Sequence, residues 1–328
     1  MFTVGLNPYG LSYTVGLQGL GTPRENPHAI GLDGFISLVR ELDVRCIELD
    51  WRWVSPLDDA GLGRLRERLD GLEPIYSHWL AQEPGETLID PIRRAAAIGA
   101  RILRLHLTPV LEGARAASGP RWNEMVSHAR RTLRQDVSRA ADAGLIVAIE
   151  NHQDFCSEEL VTLAEELGDH VGIVLDTGNP FAVGEDPVAF ARRAAQRIRH
   201  VHLKDYVAQF TSEGYRLLRC AIGDGAVPFT EIADALDSGR PLTASIEPGA
   251  LEARHIRLFT SDWWNGYPAR DARELAVMLG RLRHHSIEGA ADWRTPWEMA
   301  ASPEELTTYE MTQVGRSLAT VRARGWGG

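Results

Sequence analysis

The chemistry in this sequence gathers at four places: Glu150 in AIENHQDF, Asp176 in VLDTGNP, His202 in VHLKDY and Glu247 in SIEPG. Each closes a short apolar run that reads as a β-strand. Taken singly, each has an ordinary structural use. Glu150 or Glu247 could bond a neighbouring backbone or pair with Arg104, Asp176 could cap a turn, and His202 could be packed in a core. Together they are more specific. Three carboxylates and an imidazole crowded at one point repel one another unless a positive charge joins them. Hard oxygens plus one nitrogen suit a single divalent cation: Mn2+ is the expected ion, and Mg2+, Co2+ or Zn2+ fit the same donors. Such a cation, holding a carbonyl and an adjacent hydroxyl, acidifies the C–H between them by stabilising an enediolate.

The elements that must gather these groups recur at a steady beat of apolar strand, polar turn and amphipathic helix. Strand candidates are FTVGL near Phe2, RCIELD (Arg45–Asp50), EPIYSHW (Glu73–Trp79), RILRLHL (Arg101–Leu107), LIVAIENH (Leu145–His152), HVGIVLD (His170–Asp176), HVHLKD (His200–Asp205) and LTASIEP (Leu242–Pro248). Asp186 before Pro187 reads as a helix start, and Gly99 and Gly144 as left-handed helix ends. Eight such units predict an α/β fold, a closed (β/α)8 TIM barrel over residues 1–285. Parity supports closure over an open sheet. Leu103, Leu105 and Leu107 share one face and Arg104 and His106 the other; Ile47 and Leu49 likewise alternate with Glu48 and Asp50. An open sheet sandwiched by helices would be apolar on both faces. The beat stops near His284, so residues 286–328 form a C-terminal extension with one helix from about Ser302, expected as a packing arm, lid or subunit contact.

On consecutive barrel strands the four groups meet at the C-terminal face. Glu150 and Glu247 flank Asp176 and His202, which suits removing a proton on one face of a bound substrate and returning it on the other. His152 shares the face of Glu150 and His106 tops the fourth strand. Either is a candidate acid or base, or a group that orients substrate. His200, one step below His202, is expected to support it. Lys204 could stabilise an enolate oxygen or pair with Asp205 or Glu247, and Arg104 and Asn179 are candidate substrate contacts. Trp51, Trp53, Trp79, Trp263 and Trp264 follow strands on the catalytic side, as a sugar-stacking wall or as packing.

CIELD, AIENHQDF, VLDTGNP, HVHLKDY, GDGAVPF and SIEPG, in this order, resemble the xylose-isomerase-like TIM-barrel family of sugar isomerases and epimerases, over residues 1 to about 285. The resemblance implies that Glu150, Asp176, His202 and Glu247 are the metal ligands and that the two glutamates shuttle the proton. Related endonucleases build a zinc cluster with extra histidines. His78 and His106 are present, but Asn179 stands where a histidine is frequent, which argues against further metals. The chain is also similar to the large subunit of C-glycoside deglycosidases. That alternative implies a lyase acting on 3-oxo-glycosides through an enolate, with His106 or His152 as base and a small partner subunit.

Composition narrows the partners. A net charge of −10 and a pI near 5.6 give no pull toward nucleic acid or anionic membrane. The start, MFTVGLNPYG, lacks a basic flank and a long apolar run, and Cys46, Cys156 and Cys220 are too few and scattered for a disulfide framework, so a cytoplasmic location is expected. The expected ligand is a small sugar or keto-glycoside, and a homo-oligomer is compatible with a barrel. GDGAVPF lacks a phosphate loop's lysine and reads as the turn into the last crossover helix. A non-catalytic carbohydrate-binding barrel is the remaining alternative, and it would be expected to have lost ligands.

Overall fold

A computed structural model describes residues 2–237, 239–287 and 293–327. The expected spans 1–285 and 286–328 therefore include positions (1, 238, 288–292 and 328) that lie outside the described residues. In chain order the strands are β1 (Phe2–Leu6), β2 (Cys46–Asp50), β3 (Glu73–Trp79), β4 (Ile102–His106), β5 (Ile146–Glu150), β6 (Val171–Asp176), β7 (Ile198–Leu203), β8 (Asp205–Phe210), β9 (Tyr215–Cys220), β10 (Leu242–Ile246) and β11 (Arg254–Ile256). Eight of them close a parallel barrel in the order β1-β10-β7-β6-β5-β4-β3-β2. The crossovers carry helices α1 (Gly31–Glu41), α2 (Trp51–Val54), α3 (Asp59–Arg68), α4 (Ile89–Ala97), α5 (Arg115–Ser118), α6 (Arg121–Asp142), α7 (Ser157–Leu167), α8 (Pro187–Ala194) and α9 (Phe229–Leu236); α10 (Ala272–His284) and α11 (Pro303–Ala323) follow β11. The chain is a (β/α)8 TIM barrel, as the strand beat predicts.

Local signals explain the element ends. Asp186 accepts from the backbone N–H groups of Val188 and Ala189 and caps α8, with Pro187 in its first turn. The apolar parity set, including Leu103, Leu105, Val147, Ile149, Ile173 and Leu175, is fully buried in one core with the inner faces of the helices.

One feature differs from the sequence reading. The reading runs from His200–Asp205 straight to the GDGAVPF turn, whereas the chain inserts an antiparallel hairpin, β8–β9, joined by β11 into a three-stranded sheet. The alternation in DYVAQF and YRLLRC is the period-two signal that carries it, and Thr211 closes the turn by donating to the Gly214 carbonyl at 2.9 Å. The C-terminal helix, in turn, shares its core with the barrel. Val314, Leu318 and Val321 of α11 are buried with the β1 side chains, and Trp326 meets Phe2 edge-on at 5.0 Å. Among the described residues no helix is long and apolar enough to cross a membrane.

Candidate metal and catalytic site

The register sets the ring of polar groups. Asp176 of β6 lies level with His202 of β7, and His202 lies level with Ser245 of β10, two residues before Glu247. Glu150 ends β5 alongside. The barrel thus brings Glu150, Asp176, His202 and Glu247 together, all of them buried.

His202 is held from behind. Its Nε2 lies 2.9 Å from Glu48 Oε1, and Glu48 also accepts from Ser77 Oγ at 3.1 Å and lies 3.1 Å from His200 Nε2. His200 is itself fixed by Thr243 Oγ1 at 2.6 Å. The Nδ1 of His202 lies 3.1 Å from Glu247 Oε2 and 3.7 Å from Glu150 Oε2, yet makes no hydrogen bond of acceptable angle. Burial pushes the imidazole's pKa down, but the Glu48 and Glu150 carboxylates outweigh it and raise it well above the ordinary value. A metal ligand must shed that proton, and a carboxylate on the far nitrogen is what orients a ligating histidine.

Each carboxylate meets a cation, Arg104 for Glu150 and Lys204 for both Glu247 and Asp176. Arg104 Nε donates to Glu150 Oε2 at 2.5 Å, and His106 Nε2 lies 2.8 Å from the same oxygen. Burial alone would raise the Glu150 pKa, but Arg104, His106 and His202 hold it well below the usual carboxylate range. Glu247 accepts from Asn7 Nδ2 at 3.0 Å on one oxygen and pairs with Lys204 Nζ at 2.8 Å on the other, with Arg219 Nη2 3.5 Å away. It too stays below its ordinary range: burial is opposed by Lys204 and His202. Asp176 divides its oxygens. Oδ1 caps the following turn, accepting from Gly178 N and Asn179 N at 3.0 Å each, while Oδ2 faces Lys204 Nζ.

Lys204 thus pairs with Glu247 and Asp176. Asp205 turns elsewhere, accepting from the backbone N–H groups of Tyr206, Gly223, Gly225 and Val227 at 2.9 to 3.0 Å. It organises the GDGAVPF loop, where a Cβ on Gly225 would fall 2.4 Å from Asp205 Oδ1.

The opposite flank is aromatic. His106 and His152 stack with centroids 4.2 Å apart, and Trp79 meets His106 edge-on at 4.7 Å. The His152 ring is partly exposed, while its Nδ1 is buried without a hydrogen-bond partner. Burial, with the neighbouring His106 imidazole adding to it, moves the His152 pKa well below the ordinary value and favours the neutral ring. Asn179 lends its backbone N–H to Asp176, while both polar atoms of its side chain are buried without partners.

The other tryptophans divide. Trp51 is exposed beside His78, edge-on at 6.5 Å. Trp53 packs on Phe35 of α1, Trp263 donates to the Glu112 carbonyl at 3.0 Å and stacks on Tyr267, and Trp264 donates to the Leu258 carbonyl at 2.9 Å. For these three the contacts are packing contacts, because the segments after β2 and β11 fold back on their neighbours.

Glu48, Asn7 and Arg219 also join the ring and were not singled out from sequence. The parity of CIELD carried a signal for Glu48. Asn7 lies in the turn after β1 and Arg219 on the unforeseen hairpin, where no pattern marks them.

Among the described residues, the ligand atoms of Glu150, Asp176 and His202 lie within 4.8 Å of one another, as do those of Glu48, His200 and His202 and those of His106, Glu150 and His152. The Glu48 group is already satisfied by hydrogen bonds, and in the His106 group Arg104 Nη2 sits against His106 Nε2. The unpartnered Nδ1 of His202 beside hard carboxylate oxygens is the set that fits a divalent cation.

A closed parallel barrel with titratable groups crowded at the C-terminal ends of its strands defines a TIM-barrel protein with its working face there. Residues 36–259 match the family described as xylose isomerase-like TIM barrel, and the chain belongs to that family. It is 33% identical over 120 residues to the rhizopine catabolism protein MocC of Rhizobium meliloti, covering 32% of this chain and 37% of that protein. It is 29% identical over 140 residues to an inosose dehydratase of Clostridium botulinum (strain Eklund 17B / Type B), covering 38% and 46%. The matched stretches therefore span less than half of either relative. Among solved structures, an L-ribulose 3-epimerase aligns over 99% of this chain and 97% of its own, with a TM-score of 0.57 and 18% identity, a likeness of fold.

Proposed function

We propose that this chain is a divalent-metal-dependent lyase of the dehydratase type, which removes the proton beside the ketone of a small polyhydroxylated substrate and expels the β-hydroxyl as water. One observation carries the choice. Both ring glutamates are engaged by cations, Glu150 by Arg104 and Glu247 by Lys204, whereas His152 offers a nitrogen with no partner at the edge of the ring. Epimerisation needs a free acid or base on each face of the substrate, and elimination needs one base and one acid.

A cation held by Glu150, Asp176, His202 and Glu247 would polarise the ketone and the neighbouring hydroxyl. His152 Nδ1 takes the α-proton, and its stack on His106 fixes the plane of the ring. The electron pair left on carbon forms the new double bond as the β C–O bond breaks. Lys204, whose pKa is raised because Asp176 and Glu247 outweigh its burial, donates the proton that leaves with the hydroxyl. Arg104 keeps Glu150 ionised, and Asn7 holds the Glu247 carboxylate in place. The dehydratase relative supports the same outcome.

The second reading is epimerisation by Glu150 and Glu247, favoured by their positions 3.7 and 3.1 Å to either side of His202 Nδ1. Product analysis separates the two. The protein is incubated with Mn2+ in D2O with an inosose, free ketoses and 3-oxo-glycosides. A dehydrated product supports the proposal. An epimer carrying solvent deuterium, with no loss of water, overturns it in favour of the second reading. Release of an aglycone keeps the elimination but changes the leaving group, and then calls for the small partner subunit.

A further inference from the structure

We infer that Glu310, far along the C-terminal helix, is a positioning residue for the metal site, acting through the turn that carries Asn7. The inference rests on the reading above in one respect, that Glu247 holds the cation. Glu310 is fully buried on α11, and its carboxylate is spent on the β1 loop. Oε2 accepts from Thr14 N at 2.8 Å and Thr14 Oγ1 at 2.7 Å, and Oε1 accepts from Tyr13 N at 3.1 Å. The Ser12 hydroxyl lies 3.3 Å from Oε1 but nearer Gln18 Oε1, at 2.7 Å. A hydrophobic side chain could glue a helix to a barrel equally well. A carboxylate gripping two successive backbone N–H groups does something more, since it fixes the orientation of their peptide planes.

The loop so held runs directly into the ring. Residues Pro8–Leu11 form one 3-10 turn, capped by Asn7 Oδ1 accepting from Tyr9 N at 2.8 Å. The other end of the same amide, Asn7 Nδ2, donates to Glu247 Oε2 at 3.0 Å. The turn is pressed on the strand end behind Glu247: a Cβ on Gly10 would lie 3.0 Å from Glu247 Cα, Ile246 O and Pro248 Cδ. A second contact from α11 points the same way. Tyr309 donates to the Arg219 carbonyl at 3.4 Å, and Arg219 Nη1 donates to the carbonyls of Tyr9 and Pro248 at 3.3 and 3.0 Å. Shifting Thr14 therefore moves Asn7 relative to Glu247, and the extension is part of the site.

The test measures Mn2+ affinity by calorimetry, so the identity of the substrate does not enter. Asn7→Ala removes a partner of a ligating carboxylate, and a loss of about 10-fold is expected. Glu310→Ala is expected to lose a similar factor, and the double variant no more than Asn7→Ala alone, since the two act on one contact. Multiplying losses, or unchanged affinity in a folded Glu310→Ala, overturns the inference. Should Glu310→Ala fail to fold, Thr14→Val, which deletes one donor and keeps the shape, enters the same cycle with a smaller loss and the same criterion. If the unmodified protein binds no Mn2+, the metal reading fails instead. Glu310 is then judged by hydrogen exchange at the amides of Asn7 and Gly10, where Glu310→Ala must lower protection for the inference to stand.

Discussion

On the β2, β7 and β10 side of the ring, hydrogen-bonding capacity is used up behind the metal ligands, apart from the free Nδ1 of His202. Glu48 engages Ser77, His200 and His202, and His200 reaches Thr243 and Ser245. On the β4, β5 and β6 side it is not. Arg104 Nη1, His106 Nδ1, His152 Nδ1 and both side-chain atoms of Asn179 are buried without partners. Leaving a buried polar atom unpaired costs about 1–3 kcal/mol, so five such atoms on one flank are not neutral packing. Apart from Lys204 and the free Nδ1 of His202, the groups of the satisfied flank are already fixed, and their part is to hold. The unsatisfied flank is unfinished in the protein alone, and the polyhydroxylated substrate of the proposed reaction would supply the missing donors and acceptors.

The largest effect that would break this contrast comes from Glu150, where the two flanks meet. Glu150→Gln strips Arg104 of its counter-charge, and leaving one member of a buried pair unmatched destabilises by about 3–5 kcal/mol. A much lower Tm, loss of bound Mn2+ and loss of turnover are expected together. A Glu150→Gln protein with unaltered metal content would remove this residue from the ring. Next comes His152→Ala on the unfinished flank. Turnover should fall by about 10²–10⁴-fold, the span of general acid–base catalysis, while calorimetry still finds the cation bound. Normal turnover would hand the base role to a glutamate and revive epimerisation.

Glu48→Gln examines the finished flank. The amide can still meet one histidine but no longer supplies charge to His202, so Mn2+ affinity should fall by about 10–100-fold with KM for substrate little changed. If KM rises and metal affinity stays, the flank binds substrate and the division between holding and binding is wrong.

The residues show why sequence reached one half of this picture more easily. Glu150, Asp176, His202 and Glu247 end strands, and strand parity with the barrel order sends them to one place whatever the loops do. Glu48 obeyed the same parity, yet a single glutamate gives no hint that its partner is a histidine 152 residues away. Asn7 and Arg219 depend on a turn and a hairpin docking against β10, and no local pattern specifies docking. The tryptophans divide for a related reason. An indole after a strand can turn toward the mouth, as Trp79 does, or toward a helix, as Trp53 does, and the path of the loop decides. Lys204 and Asp205, adjacent and opposite in charge, look like partners in sequence. Strand geometry separates them, one toward the carboxylates and the other toward the GDGAVPF loop.

The smallest effect belongs to Asn179, and it sharpens the comparison most. Its backbone N–H serves Asp176 whatever its side chain is, so Asn179→Ala keeps that hydrogen bond. What disappears is one buried amide with no partner in the protein, so stability should stay level or rise by up to about 1 kcal/mol. A residue that binds substrate alike in ground state and transition state raises KM on removal and leaves kcat alone. Asn179→Ala should therefore raise KM a few-fold, with kcat and Mn2+ affinity unchanged and Tm no lower. A fall in Tm would mean that the amide has a partner within the protein. The unsatisfied flank would then be packing, and the contrast between the two sides of the ring would lose its functional meaning.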